Sequence, residues 1–348
     1  SQQAARTTAK ICEKILAAFK QPFNLEHYQH YTTPSIGVAM VDPHVATSVE
    51  EQLRRADLAM YQAKEAGRNT FRFFDAAMET ELRARVALEA DLHQAIAHGE
   101  FMLHFQPQYD QHHSIVGAEV LVRWQHPEHG LIMPGHFIPV AESSGQIVEI
   151  GQWVMHEACQ QLLRWSQHPH YQQLVLSVNV SPKQCLQPNF VQQVQALVAE
   201  TGIDPAKLKL ELTESMLVAN VEEIINKMVV LKQSGVCFSL DDFGTGYSSL
   251  SYLKRLPFDQ LKIDQSFIRD MLQSADHESI VKAIVSLGQS LRLEVLAEGV
   301  ETEAQLLRLK WLGCHTFQGY YFTRPLPIEQ FEHFIAQPMP RGHARGAR

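Results

Sequence analysis

From residue 101 onward the chain alternates short apolar segments with longer amphipathic ones, and the short segments keep a two-residue parity. In 207–212, Leu208, Leu210 and Leu212 alternate with Lys209 and Glu211. In 177–181, Val178 and Val180 alternate with Ser177, Asn179 and Ser181; in 261–264, Leu261 and Ile263 alternate with Lys262 and Asp264. Successive strand side chains point to opposite faces, so each segment has one apolar and one polar face. Strands are predicted at 101–106, 115–123, 174–180, 207–213, 236–241, 260–264, 293–298 and 314–319, with helices at 146–166, 188–201, 220–234, 276–291 and 302–311. This alternation predicts an α/β fold with a mostly parallel sheet. Eight strands in about 240 residues favour closure into a TIM-like (β/α)8 barrel over an open sheet. The first two strands are joined by too few residues for a helical crossover, so one antiparallel strand is expected near the barrel's start.

Barrel strands are covered outside by helices, so the polar faces should point inward, and polar groups near strand ends should crowd the C-terminal mouth. That mouth would gather Glu119, Asn179, Glu211, Asp241, Asp242, Asp264 and Glu298. Any one of these acids, taken alone, is more simply a helix cap or the partner of a surface lysine. Six or seven at the ends of successive strands are not, because burying so many carboxylates together is costly unless a cation compensates. Oxygen donors without Cys or His point to a hard ion, Mg²⁺ or Mn²⁺. The adjacent Asp241 and Asp242 could let one carboxylate bridge two ions, an arrangement suited to in-line attack on a phosphodiester.

Lys262 has three readings: a surface lysine, a Schiff-base lysine of an aldolase-type barrel, or a cation serving phosphate and water. Neighbouring carboxylates would keep it protonated and a poor amine nucleophile, which favours the electrostatic role. Arg123 shares a strand face with Glu119, and its fork suits a phosphate better than an outward structural ion pair. The segment from Asp241 to Leu250, DDFGTGYSSL, follows the acid pair with a glycine-rich loop that lacks the GK[ST] of a P-loop and the GxGxxG spacing. It reads as a mobile loop that positions the second ion.

Composition excludes several classes. Hydrophobic residues make up 45% and charged residues 20%, ordinary for a globular chain. The formal net charge of −8 gives no global basic field, so no DNA or RNA partner is expected. No apolar run is long enough to span a bilayer, no secretory pattern opens the chain, and no membrane contact is expected from this segment. Cys12, Cys159, Cys185, Cys237 and Cys314 are scattered and form no CxxC pair, which suits a reducing cytoplasm rather than a disulfide framework or zinc knuckle. His126 and His129 lie in a Pro- and Gly-containing stretch without the helical spacing of a zincin, so zinc is not expected.

The N-terminal third is organised differently. A helix is predicted over 7–20, a strand over 33–41, a helix over 48–66 ending at Gly67, and a short strand over 70–74. From Asp75 to His98, Met78, Leu82, Val86, Leu92 and Ile96 share roughly one face, and Gly99 follows as a C-cap. The expected division is 1–75, a connecting helix over 76–99, a barrel over 100–340 and a disordered basic tail over 341–348. A start at Ser1 rather than Met suggests a piece of something longer.

Glu119-Val-Leu-Val-Arg-Trp124, Val178-Asn-Val-Ser181, Glu211-Leu-Thr-Glu-Ser215, the Asp241–Leu250 segment, Lys262-Ile-Asp264, Ala297-Glu-Gly-Val-Glu-Thr302 and Gln318-Gly-Tyr320 occur in this order. Together they resemble the EAL-domain phosphodiesterases, which open the bacterial messenger cyclic di-GMP to linear pGpG; the resemblance spans 100–337. It implies that Glu119, Asn179, Glu211 and Asp241 hold one metal, and that Asp241, Asp242 and Asp264 serve a second, directly or through water. Glu298 would be the general base, with Lys262 orienting the attacking water. Glu214 would brace the glycine-rich loop, Gln318 would hold the metal–water network, and Gln106 and Arg123 would contact substrate. Glu301 also fits the motif. The signature has Val120 where Ala is usual; by parity Val120 faces away from Glu119, so a packing change is expected and loss of metal is not. Homodimerisation through the barrel and the loop near Asp241 is implied as well.

Residues 1–75 resemble the last part of a GGDEF domain, on Ser35-Ile-Gly-Val-Ala39 and on the run from Ala56 to Asn69. The GG(D/E)EF signature is absent, so cyclase chemistry is not expected here, and so short a piece buries little core. Two other readings give different behaviour. A catalytically silent cyclic di-GMP receptor, signalling through the helix at 75–98, would bind without turnover. An aldolase-like barrel would be trapped on Lys262 by borohydride and survive chelation.

Overall fold

The computed structural model describes residues 2–25, 28–41, 44, 47–217, 220–244 and 253–336. The chain divides into two units, Ser1–Ala90 and Asp91–Arg348.

In the first unit a helix over Gln2–Ala18 precedes an antiparallel pair, β1 (Phe23–Leu25) and β2 (Tyr28–His30). Strands β3 (Ile36–Val38) and β4 (Phe71–Phe73) run parallel, with a helix over Val49–Glu65 between them. Ser48 starts that helix by accepting the Glu51 N–H on its hydroxyl, and Glu50 and Glu51 favour the positive end of its dipole. Leu58, Ala59 and Ala63 form the helix's buried face. Gly37 is dictated by close approach, because a Cβ there would lie 1.9 Å from the Ala56 carbonyl oxygen. A helix over Ala76–Ala95 crosses the boundary between the units, and its Leu92 and Ala95 are buried.

In the second unit, eight strands close on themselves: β5 (Phe101–Asp110), β6 (Ile115–His126), β8 (Val175–Asn179), β9 (Leu208–Thr213), β10 (Cys237–Phe243), β11 (Gln260–Ile263), β12 (Glu294–Ala297) and β13 (Thr316–Phe317). Short strands β7 (Gly130–Ile132) and β14 (Leu326–Pro327) add to β6 and β5. The barrel is TIM-like, as the alternation predicts. β5 is antiparallel to β6 on one side and to β13 on the other, while the other neighbours among the eight barrel strands are parallel. The predicted helices lie at Ile147–Ser166, Phe190–Thr201, Val221–Gln233, Ala275–Leu291 and Glu303–Trp311.

The outward strand residues Leu176, Val178, Leu208, Leu210, Leu212, Leu240, Leu261 and Ile263 are buried. Each such side chain contributes about 1.5–3 kcal/mol by leaving water. β5 has no crossover helix to cover it. A helix over Ile328–Ala336 does so instead, placing Phe331 against Phe105 and Trp165, each at 5.6 Å between ring centroids. His126, at the end of β6, accepts the backbone N–H groups of Glu128 and His129 on Nδ1 and so braces the following turn. The five cysteines are free thiols. Among the described residues no helix is long and apolar enough to cross a membrane.

The barrel interior is polar. Toward the N-terminal strand ends, Ser239 donates to Gln260, Gln260 and Thr316 donate to Glu294, and Lys209 lies 3.6 Å from Glu294. The acids named from sequence lie toward the other end. Residues 245–250 of the glycine-rich loop and the tail 341–348 lie outside the described residues.

Candidate active site

Alternation places Glu119 on β6, Asn179 on β8, Glu211 on β9, Asp241 on β10 and Lys262 on β11 along one inner wall, and closure of the barrel brings them together. Lys262 is fully buried at the centre. Its Nζ lies 2.6 Å from Glu211 Oε2, 2.7 Å from Glu298 Oε1, 3.1 Å from Asp241 Oδ1 and 3.8 Å from Glu119 Oε2. Glu119 is held from two further sides: Asn179 Nδ2 donates to its Oε1 at 2.7 Å and Gln318 Nε2 to its Oε2 at 2.5 Å.

Asp241 and Asp242 are neighbours in sequence, and plain alternation would turn them to opposite faces. The register of β10 against β11 shifts between Leu240 and Phe243, and Asp242 takes a left-handed backbone with φ 55°. This bulge turns both carboxylates the same way. Ligand oxygens of Asp241, Asp242 and Glu298 lie within 4.8 Å of one another. A non-glycine residue with positive φ is uncommon and costs on the order of 1–3 kcal/mol, a strain found chiefly at functional sites.

Asp264 has a double life. Its Oδ1 caps the helix over Gln265–Asp270, accepting the Ser266 N–H at 3.0 Å and also the Ser266 hydroxyl. The bland reading of a strand-end acid as a helix cap is thus realised at Asp264, which also faces Asp242 closely enough to raise its pKa. Glu214 is buried and accepts the Gly244 N–H on Oε2 at 2.9 Å, at the start of the glycine-rich loop. Gln106 accepts from Gln318 at 3.1 Å, and its own Nε2 lies 3.4 Å from the Thr323 carbonyl. Arg123 is buried and donates to the Val122 carbonyl at 2.8 Å. Glu301 has an exposed side chain, and among the described residues only its backbone N–H is engaged, with Gln305.

Burial is the largest influence on the cluster's titration. It pushes Glu211 up to about 8 against the opposing pull of Lys262, with Glu119 and Asp241 adding to the rise. Burial, then Asp241 and Asp264, push Asp242 up to about 6. Glu298 is raised well above the usual carboxylate range by burial, which outweighs Lys262. Burial lowers Lys262, but the carboxylates of Asp241, Glu119, Glu211 and Glu298 outweigh it and hold the ammonium well above its ordinary value. The lysine is therefore the charged partner and no Schiff-base nucleophile at neutral pH.

A divalent cation fits this donor set. Glu211 Oε1 is fully buried without a hydrogen-bond partner among the described residues, an arrangement that costs stability unless something else binds it. The available donors are carboxylate and amide oxygens, the preference of hard ions. Six acids, Glu119, Glu211, Asp241, Asp242, Asp264 and Glu298, share the mouth with one internal lysine, so further positive charge is favoured there.

Two participants escaped the motif reading. Gln108 is buried and donates to Gln318 Oε1 at 3.0 Å. Its parity with Gln106 was the available signal. Ser266, the hydroxyl on Asp264, lies in the ordinary N-cap context and carried none.

Comparison with known proteins gives a consistent picture. The family described as EAL domain matches residues 89–325, and that described as diguanylate cyclase, GGDEF domain, matches residues 1–70. The chain is 41% identical over 323 residues to MucR of Pseudomonas aeruginosa, a bifunctional diguanylate cyclase/cyclic di-GMP phosphodiesterase, covering 92% of this chain and 47% of MucR. It is 37% identical over 326 residues to NbdA of the same organism, a cyclic di-GMP phosphodiesterase, covering 93% of this chain and 41% of NbdA. A solved structure of the PaMucR phosphodiesterase in complex with c-di-GMP superimposes with a TM-score of 0.68 at 44% identity, over 70% of this chain and 99% of that one. The chain spans less than half the length of these two curated relatives.

Proposed function

The chain belongs to the EAL domain family, with a GGDEF domain match at its N-terminus, and on that premise we propose that its barrel hydrolyses cyclic di-GMP to linear pGpG with Mg²⁺ or Mn²⁺. The observation that carries this reading is the convergence of Glu119, Glu211, Asp241 and Glu298 on the buried Lys262, with Asp242 turned into the same site by the β10 bulge.

Glu119, Asn179, Glu211 and Asp241 would hold one ion; Asp241, Asp242 and Asp264 would serve a second, with Asp241 shared. When bound, the ions stabilise charge on the phosphate during in-line displacement. Arg123 and Gln106 border the mouth and grip the cyclic dinucleotide, the guanidinium pairing with a phosphate. Glu298 would take the proton of the attacking water as the water oxygen bonds to phosphorus; the P–O bond to the ribose breaks and the leaving oxygen takes up a proton from solvent. Lys262, 2.7 Å from Glu298 Oε1, would orient that carboxylate and the attacking water beside it. Glu214 anchors the loop that begins at Gly244, and Gln318 fixes Glu119. Glu301 would act through the packing of its loop, since its carboxylate makes no hydrogen bond or ion pair among the described residues.

The same proposal includes a homodimer, a cytoplasmic setting, and a division into a GGDEF-like piece over 1–75, a connecting helix over 76–99, the phosphodiesterase over 100–340 and a basic tail over 341–348. The test is a steady-state assay of the purified chain, with chromatographic separation of pGpG. Turnover with Mg²⁺ or Mn²⁺, lost on chelation and nearly abolished in Glu119→Ala, is expected. Tight binding of cyclic di-GMP without turnover in either ion would refute it.

A further inference from the structure

We infer that Gln108 is a positioning residue for the metal site, acting through Gln318 by anchoring the amide that donates to Glu119. This rests on the reading that Glu119 is a metal ligand. An ionised carboxylate can only accept hydrogen bonds. The Gln318 amide therefore has to present its NH₂ to Glu119 Oε2, and that same NH₂ also reaches Gln106 Oε1 at 3.1 Å. The Gln318 carbonyl oxygen is then left pointing down the barrel, where it needs a donor. Gln108 Nε2 supplies one at 3.0 Å.

Gln108 and Gln318 thus form a directional chain of amides that ends on the carboxylate, with Gln106 as a branch from the Gln318 NH₂. Gln108 and Gln318 are both almost fully buried, so water offers no easy substitute. Across the β5–β6 pair Gln108 lies opposite Gly117. The chain also fixes Gln106: with its Oε1 taken by Gln318, its NH₂ is the end turned toward Thr323 and the mouth. Without a donor at 108, the Gln318 carbonyl oxygen is buried without that partner, so the amide is held less firmly and Glu119 Oε2 loses a fixed donor. Partners one step removed from a metal commonly control affinity in this way.

The test is calorimetric titration of the full chain with Mn²⁺ alone, without substrate, on wild type, Gln108→Met, Gln318→Met and the double variant, with thermal unfolding as a check of folding. Gln108→Met has nearly the same volume and no donor. It is expected to weaken Mn²⁺ binding about 10- to 100-fold. The double variant should bind no more weakly than Gln318→Met, because Gln108 acts only through that amide. If Gln108→Met does not fold, Gln108→Glu carries the test: its buried carboxyl keeps its proton and donates O–H to Gln318, so near wild-type affinity is expected. Unchanged binding in Gln108→Met, additive losses in the double variant, or a loss in folded Gln108→Glu overturns the inference. A wild-type chain that takes up no Mn²⁺ removes the catalytic reading itself, and is a separate outcome from wild-type binding with an indifferent position 108.

Discussion

The ammonium of Lys262 lies 2.7 Å from the carboxylate of Glu298, inside a barrel wall where both would be costly alone. The lysine also touches Glu211 and Asp241, so it is at once the charge that makes the acid cluster tolerable and the group that aligns Glu298, the proposed base.

Replacing that lysine should therefore harm stability and turnover together. Lys262→Met leaves several buried carboxylates uncompensated, and breaking a buried pair in this way costs about 3–5 kcal/mol. Chemical denaturation should register that loss, and turnover should fall at least about a hundredfold. If a carbonyl substrate could be trapped on the wild-type lysine by borohydride, the electrostatic role would be wrong.

The raised carboxylates give the metal-free protein an unusual pH response. Glu211 titrates at about 8 in the folded chain against an ordinary 4.5, so the folded state holds a proton that the unfolded state releases. Stability should fall as pH rises from about 4.5 toward about 8, and Asp242, pushed up to about 6, acts with the same sign. In chelator, the thermal midpoint is expected to be higher near about pH 5.5 than near about pH 8, with Mn²⁺ stabilising more at the higher value. A midpoint that climbs through this window, or ignores Mn²⁺, contradicts it.

Glu214 is buried and accepts the Gly244 N–H. Glu214→Ala should loosen the loop that follows β10 while leaving the barrel folded, lowering kcat by about tenfold or more with the far-ultraviolet dichroism unchanged. Equal kcat in variant and wild type would show that the brace is dispensable.

Gly319 separates Gln318 from Tyr320 because the chain passes Val300 closely. A Cβ at 319 would lie 2.2 Å from the Val300 carbonyl oxygen. Gly319→Ala should displace Gln318 from Glu119 and weaken Mn²⁺ binding in calorimetry, by about 10- to 100-fold.

Leu210 is fully buried on the outer face of β9, one residue from Glu211. Leu210→Ala should cost about 2–5 kcal/mol in urea unfolding, with residual activity per folded molecule close to wild type. A loss of activity in a fully folded sample would mean that the outer face transmits strain to the site.

Much of this architecture was legible before any coordinates. The leucines of 208–212 alternating with Lys209 and Glu211 identify a strand and its buried side, because alternation is a local property of an extended backbone. The short link between 106 and 115 likewise forces an antiparallel step, observed as the β5–β6 pair. Less legible were β7, β14 and the covering helix over Ile328–Ala336, whose short apolar patterns resemble ordinary loop or helix segments until their partners are known. Glu301 shares the motif, but its side chain is exposed, a difference in burial that the motif does not encode.

The sequence by itself determined the inward parity of Glu119, Asn179, Glu211 and Lys262, and with it the oxygen-rich character of the mouth. It could not determine that Asp241 and Asp242 face the same way, because alternation separates neighbours; the β10 bulge and the left-handed backbone of Asp242 decide that. Nor could it reveal that Gln108 meets Gln318, two residues 210 positions apart. Such meetings depend on how the barrel closes and how its strands are staggered, and the stagger is settled by packing of the whole sheet rather than by any one segment.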